Sequence, residues 1–265
     1  MNLGIATFCA RRGQKEQNLQ KIIEFAEQAA EQNCELVVYP EFSVNGPWVS
    51  YDPDATMESL RNDAEPIPGP TTDRLRAEAT RLGLALCVGL AEQGWASKPF
   101  NTQVVIGADG VLHRQRKLQP TVSEVPFFRG GGDESDVFAL GDQTFGITIC
   151  ADNGQAALHT RLKGQGANVI LAPHAGAIKK WEEPGASWDA LVSWHRDTRL
   201  ERYVQNAKRL EMAFVYVDQV DPRQGFDDLP EWIHYVSGKS ACIDRDGNIL
   251  AENAGNEESL IVATV

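Results

Sequence analysis

Three side chains in this sequence stand where apolar, strand-like runs end, and together their types amount to one chemistry. Glu41 closes Leu36-Val37-Val38-Tyr39-Pro40-Glu41-Phe42, Lys117 closes His113-Arg114-Gln115-Arg116-Lys117-Leu118, and Cys150 closes Phe145-Gly146-Ile147-Thr148-Ile149-Cys150-Ala151-Asp152. Strand ends of an α/β sheet open onto loops, where rigid elements hold side chains around one cavity. A thiolate attacks an electrophilic carbon, a carboxylate takes the thiol proton and later hands it to a leaving nitrogen, and an ammonium stabilises the oxyanion between them. Attack on an amide, a carbamoyl group or a nitrile follows from such a trio. Lys117 is also expected to favour the thiolate through its charge, and the backbone N–H of Ala151 to be a second oxyanion donor. Met singly, each residue has a plainer reading: a solvated strand-end carboxylate, one charge in a basic run, a buried thiol. Their joint occurrence carries the argument.

The elements that must position them can be read from periodicity. Residues 3–8 form a short buried strand, the apolar set Leu19, Ile22, Ile23, Ala26, Ala29 and Ala30 lies on one face of a helix, and residues 36–39 form a second strand stopped by Pro40. That order implies a parallel pair joined by a crossover. Residues 43–68, rich in Pro, Asn, Asp and Ser, read as a long surface loop of the kind that shapes a site. Thr71 or Thr72 caps a helix carrying Leu75, Ala79 and Leu82, and a strand follows at 85–90. Hairpins then replace crossovers: 102–106 with 111–116 around Gly107-Ala108-Asp109-Gly110, and 136–140 with 144–149 around Gly141-Asp142. A short helix at 158–164, a strand at 168–172, a long helix at 188–211 and strands at 213–218, 239–243, 249–251 and 260–264 complete the chain, with no linker or internal repeat. The expectation is one domain over residues 1–265, an α/β fold of mixed sheets with helices outside.

Composition excludes several classes. The 265 residues carry 25 Lys+Arg against 37 Asp+Glu, a net charge of −12, which opposes binding to nucleic acid because phosphate backbones demand a basic stripe. No run of about 18 apolar residues and no basic-then-apolar leader is visible, so neither a membrane span nor a secretory signal is expected. Five scattered cysteines, Cys9, Cys34, Cys87, Cys150 and Cys242, without a Cys-x-x-Cys pair, argue for a reducing, cytoplasmic compartment and against a disulfide framework. His113, His159, His174, His195 and His234 show no paired ligand spacing, so no metal site is expected, and Gly130-Gly131-Gly132-Asp133 lacks the Lys-Ser or Lys-Thr of a phosphate cradle and reads as a loop.

Pro40-Glu41-Phe42, Arg116-Lys117-Leu118 and Ile147-Thr148-Ile149-Cys150-Ala151-Asp152 resemble, in order, the three motifs of the nitrilase, or carbon-nitrogen hydrolase, superfamily, with 76 and 33 residues between the reactive positions. The resemblance runs from Leu3 through Gly238-Lys239-Ser240 and Asp246-Gly247. It implies an α-β-β-α four-layer sandwich, a Cys thioester, no metal or organic cofactor, and subunits paired through outer helices into a homodimer or larger homo-oligomer. By similarity Glu41 is the general base, Lys117 the oxyanion cation and Cys150 the nucleophile. Family members carry a second Glu before a Phe-x-x-Gly stretch, which Ser123-Glu124-Val125-Pro126-Phe127-Phe128-Arg129-Gly130 matches, so the resemblance gives that role to Glu124; a second carboxylate could hold Lys117 charged and position Glu41 or the water. His174, after the strand ending Ala172-Pro173, falls where the family contributes pocket residues. Trp48, Trp181, Trp188 and Trp194 lie in or beside irregular segments and are candidates either to roof that pocket or to pack in a core or interface.

After the nucleophile the sequence departs from the commonest pattern. Ala151 replaces an aromatic that often lines the pocket, and Asp152-Asn153-Gly154 follow. Cys-x-Asp is nearer to amidase and N-carbamoyl amidohydrolase members than to nitrilases with Cys-Trp-Glu. The expected activity is therefore hydrolysis of an amide or N-carbamoyl group of a small molecule, releasing ammonia. The alternatives are a nitrilase converting a nitrile to acid and ammonia, and a catalytically silent binding or scaffold protein on the same fold.

Overall fold

The computed structural model of the chain describes residues 1–50, 52, 54–94, 98–132, 135–179, 187–220, 233–235, 238–255 and 257–265. Two six-stranded mixed sheets stack face to face. The first has the order β14-β1-β2-β3-β4-β5 and the second β13-β12-β10-β8-β7-β6. In chain order the strands of the first are β1 (Asn2–Thr7), β2 (Leu36–Val38), β3 (Ala85–Glu92), β4 (Phe100–Gly107), β5 (Gly110–Arg116) and β14 (Ser259–Thr264). Those of the second are β6 (Val137–Leu140), β7 (Gln143–Ile147), β8 (Val169–Pro173), β10 (Ala213–Val217), β12 (Ala241–Ile243) and β13 (Ile249–Glu252). A further pair, β9 (Ala177–Lys179) with β11 (Ile233–Tyr235), is antiparallel. Parallel β1, β2 and β3, like parallel β7 and β8, are joined through crossover helices, as the sequence order required.

Strands β1, β2, β3, β8, β10 and β12 are buried on both faces, which is why they read as nearly continuous apolar runs, whereas β5 and β13 are partly exposed. Alternation sorts each side chain to its layer. Leu3, Ile5, Leu36 and Val38 of the first sheet meet Phe145, Ile147, Val169, Leu171, Val215 and Val217 of the second in the central core. Ala6, Val37, Leu86 and Val88 turn outward onto helices α1 (Lys15–Glu31) and α3 (Pro70–Leu82). On the far side Ile170, Ala172, Phe214 and Tyr216 meet α4 (Ala156–Gly164) and α5 (Trp188–Leu210) through Leu158, Leu162, Tyr203 and Ala207. The result is the expected α-β-β-α sandwich. Helix α3 starts on Pro70, with the Thr72 hydroxyl accepting the Gly69 N–H at 2.8 Å, and ends on left-handed Gly83. No helix among the described residues is long and apolar enough to cross a membrane.

Two expectations of the fold fail: the cap of α3 is Gly69 and not Thr71 or Thr72, which lie inside its first turn, and the segment after Glu41 is not a surface loop. Residues 43–49 are buried rather than a surface loop, and the segment also holds a short helix, α2 (Met57–Asp63), capped by Thr56. Its polar residues are spent inward: the Asn45 carbonyl oxygen accepts the Ala91 N–H at 2.8 Å, the Asn45 amide donates to Asp63 at 2.7 Å, and the Ser43 hydroxyl accepts the Gly89 N–H at 2.8 Å. Composition registers such residues as loop formers, whereas here they satisfy the backbone of a folded segment.

Candidate active site

The first sheet delivers the acid and the amine, and the second delivers the thiol. Glu41 lies three residues past β2, Lys117 directly after β5, and Cys150 three residues past β7. The Glu41 turn is laid onto β3: the Tyr39 N–H donates to the Cys87 carbonyl at 2.9 Å and the Val44 N–H to the Gly89 carbonyl at 2.9 Å, with Phe42 in the left-handed region at φ 58°. Gln219, just past β10, reaches across from the second sheet and donates to the Glu41 carbonyl at 2.8 Å, while its own oxygen accepts the Ala10 N–H. Phe42, Trp48, Phe127 and Phe128 then pack the Glu41 segment against the segment that carries Glu124.

Lys117 is 1 % exposed and bridges two carboxylates, donating to Glu41 Oε1 at 2.8 Å and Glu124 Oε2 at 2.7 Å. The Asn101 amide on β4 braces both acids, donating to Glu41 at 2.7 Å and Glu124 at 3.0 Å. The two carboxylates are not equivalent. Burial penalises the charge on each, but Glu124 also accepts the Thr121 N–H and hydroxyl, and with Lys117 these hold it below the usual range. For Glu41 burial wins, aided by the negative charge of Glu124, and its carboxyl is raised. Burial opposes the charge on Lys117 too, yet the two carboxylates keep it charged well above its ordinary range. Environments that split two acids in this way mark one as a proton carrier and the other as a fixed counter-charge.

Cys150 opens a single turn of 3-10 helix (Cys150–Gly154) and is itself left-handed at φ 48°, an uncommon conformation for a residue with a Cβ. Asn153 holds the turn: its amide donates to the Thr148 carbonyl at 2.7 Å and the Cys150 carbonyl at 3.1 Å, and its oxygen accepts the Thr148 hydroxyl. The charges of Glu41, Lys117, Glu124 and Arg199 all act on the sulfur, so the three sequence-predicted groups share one locus. The balance differs from the expected one. Lys117 lowers the thiol pKa, but burial and the Glu41 carboxylate raise it more, so the resting group is the thiol and a base is required.

Asp152 faces away from the cavity. It is 1 % exposed and accepts the Leu118 N–H at 2.9 Å and the Gln119 N–H at 3.1 Å, tying the strand exit after Lys117 to the turn after Cys150. The atypical Asp152-Asn153 thus builds the turn, while exposed Ala151 faces the cavity in place of an aromatic. That cavity, of about 180 Å³, is lined by Cys150, Ala151, Asn153, His174, Arg199 and Tyr203 among others. His174 meets the Tyr203 hydroxyl at 2.5 Å, and burial together with the Arg199 charge lowers its pKa far enough to keep the ring neutral. Of the tryptophans, Trp48 is buried beneath the Glu41 segment, Trp188 packs on Leu191 and Val192, Trp194 is exposed, and Trp181 falls outside the described residues. Asn101, Arg199, Tyr203 and Gln219 were not singled out from sequence; each sits on or beside an element whose partner across the sheet or the layer is visible only in three dimensions. Among the described residues no group of three or more His, Cys, Asp and Glu side chains could hold a metal ion.

The carbon-nitrogen hydrolase family profile matches residues 3–265. The chain belongs to that family. Among its relatives, the omega-amidase NIT2 of Xenopus tropicalis is 28 % identical over 261 residues, covering 95 % of this chain and 83 % of the relative. Solved structures of an amidase from Nesterenkonia sp. AN1 share the fold at 20 % identity. One, showing Michael addition of acrylamide at the active-site cysteine, superposes with a TM-score of 0.76 over 100 % of this chain and 93 % of that one. Another, a cysteine-to-alanine variant with butyramide, gives 0.75 over 99 % and 90 %. Membership in the carbon-nitrogen hydrolase family agrees with the four-layer sandwich and with a cysteine at the mouth of the buried acid–amine network.

Proposed function

We propose that this carbon-nitrogen hydrolase cleaves the amide or N-carbamoyl C–N bond of a small molecule through a thioester on Cys150. The observation that carries the reading is the buried Glu41–Lys117–Glu124 bridge acting on the sulfur of a single cavity. Glu41 takes the Cys150 proton as the sulfur attacks the carbonyl carbon. The oxyanion is met by the Lys117 ammonium and the Ala151 N–H. Glu41 returns the proton to the leaving nitrogen, ammonia departs, and the acyl group stays on sulfur. Water then enters, Glu41 takes one of its protons, and hydroxide displaces the thiolate to release the acid. Glu124 touches no reacting atom in this sequence; it keeps Lys117 charged and in place. His174, neutral and fixed by Tyr203, forms part of the substrate wall. The omega-amidase relatives and the butyramide-bound amidase support an amide over a nitrile substrate.

Ammonia release measured over a panel of small amides, N-carbamoyl amino acids and nitriles tests the reading: amides or carbamoyl compounds turn over, and the Cys150→Ala protein is inactive. Turnover of the same substrate by Cys150→Ala, or turnover of nitriles alone, overturns it. Pairing of subunits through the outer helices belongs to the same reading, supported by Trp194 exposed at 49 % on α5, and sedimentation velocity reads it directly. A reducing, cytoplasmic setting is consistent with five cysteines that are all free.

A further inference from the structure

The turn that carries Cys150 is held from a helix behind it, and buried Asn153 is the hub. Its amide donates to the Thr148 carbonyl at 2.7 Å and the Cys150 carbonyl at 3.1 Å, which fixes Oδ1 as the atom that meets its other two neighbours. Oδ1 accepts the Thr148 hydroxyl at 2.6 Å, and Nε2 of His159, on α4, lies 3.4 Å from it. Because Oδ1 can only accept, the ring proton of His159 sits on Nε2, and Nδ1 is a bare acceptor. Nδ1 is buried with no partner among the described residues. The ring is fully buried and stands edge-on to Phe214 at 5.4 Å; burial, with the Arg209 charge, lowers its pKa to about 4 and keeps it neutral. A buried ring with one nitrogen unpaired is costlier than an apolar side chain of similar size, so packing alone does not account for a histidine here. Among the described residues the one hydrogen-bonding contact of its side chain is Asn153. Cys150 needs support of this kind: it is left-handed at φ 48°, a conformation that persists in a residue with a Cβ only where its surroundings hold it.

We propose that His159 is a positioning residue for the nucleophile: it orients the Asn153 amide, and through the Cys150 carbonyl that amide keeps the sulfur within reach of Glu41 and Lys117. This role rests on Cys150 being the nucleophile of the amidase reading. His159 touches no reacting atom, so its loss slows the chemistry and leaves substrate binding in place.

Three substitutions separate the polar contact from packing. Glutamine can place an amide N–H where His159 has Nε2, asparagine reaches only as far as Nδ1, and leucine fills the space with no polar atom. His159→Leu is expected to lower kcat roughly tenfold or more with KM within about twofold of wild type, His159→Asn to do the same, and His159→Gln to recover most of the loss. Should His159→Leu fail to fold, the Gln and Asn proteins, both polar, carry the same contrast. A second readout needs no turnover: the rate at which iodoacetamide alkylates Cys150, which should fall about tenfold in His159→Leu and return in His159→Gln. In an Asn153→Ala background, where the link is already cut, His159→Leu should change that rate by less than about twofold. Equal loss in the Gln and Asn proteins, or the same cost of His159→Leu with Asn153 present and absent, overturns the role. A wild type that hydrolyses no amide counts against the amidase reading, and the alkylation rates then decide the role of His159 by themselves.

Discussion

A methyl group added at Gly89 would test whether the placement of Glu41 governs the rate. Gly89 lies on β3 behind the Glu41 turn and is not among the residues lining the cavity. A Cβ there would stand 2.5 Å from the Phe42 backbone nitrogen and 3.1 Å from the Glu41 carbonyl carbon. Neither is the tip of a flexible side chain, so the turn itself must retreat, by roughly 0.9 Å if ordinary contact begins near 3.4 Å. Misplacement of a reacting group by about 1 Å costs on the order of 100-fold in rate. Overpacking of this kind costs about 1–3 kcal/mol of stability. In a domain of this size that is a Tm fall of roughly 2–12 °C. Gly89→Ala is therefore expected to remain folded, to lose about 100-fold in kcat/KM, and to show the loss in the acylation step of a rapid-quench experiment. Gly164→Ala, where a Cβ meets nothing within 4 Å, serves as the control and keeps wild-type kinetics. A Gly89→Ala protein with the expected Tm loss but kcat/KM within threefold of wild type would refute the reasoning.

Further predictions follow from the same geometry. Because Glu41 is raised by burial and by Glu124, the acid limb of kcat/KM lies above the ordinary carboxylate range, and Glu124→Gln moves it to lower pH; a limb that stays in place contradicts the assignment. Lys117, charged well above its usual range, places the alkaline limb beyond that of a solvated lysine. Asp152 is pushed up by burial from 3.8 to about 6, so the folded protein binds its proton more tightly than the unfolded chain. Relative to Asp152→Asn, wild-type stability then falls as pH rises from about 4 to 6, by at most about 3 kcal/mol in urea unfolding, and a rising or flat difference is the contrary result. Cys150 is half-buried whereas Cys9, Cys34, Cys87 and Cys242 are buried, so native protein treated with iodoacetamide should be alkylated first at Cys150, by peptide mapping.

Much of this is legible in the sequence because the central strands are buried on two faces and therefore read as apolar runs, and because Glu41 and Cys150 follow such runs, while Lys117 follows the half-exposed β5. Glu41, Lys117 and Glu124 meet in one buried network, and their charges act on Cys150. What the sequence hid were contacts between elements far apart in the chain. Asn101 braces both carboxylates from a strand that reads as ordinary β, and Gln219 joins two sheets from 178 residues away. Arg199 and Arg202 sit in a polar helix whose charges all look solvated until α5 is laid over the cavity. The segment after Glu41 misled through its Asn and Ser content, since those side chains pair inward. The thiol, too, was expected to be favoured as thiolate by Lys117; the opposing effects of burial and of Glu41 become visible only when all three charges are placed together.

The central claim is that the acyl group resides on the Cys150 sulfur during turnover. Acid quenching of enzyme mixed with a hydrolysed amide, followed by intact-mass measurement and peptide mapping, should show one added acyl group, less one hydrogen, on the peptide containing Cys150, and none on Cys150→Ala. Steady turnover with the acyl group mapped to any other residue, or continued hydrolysis by Cys150→Ala, would contradict it.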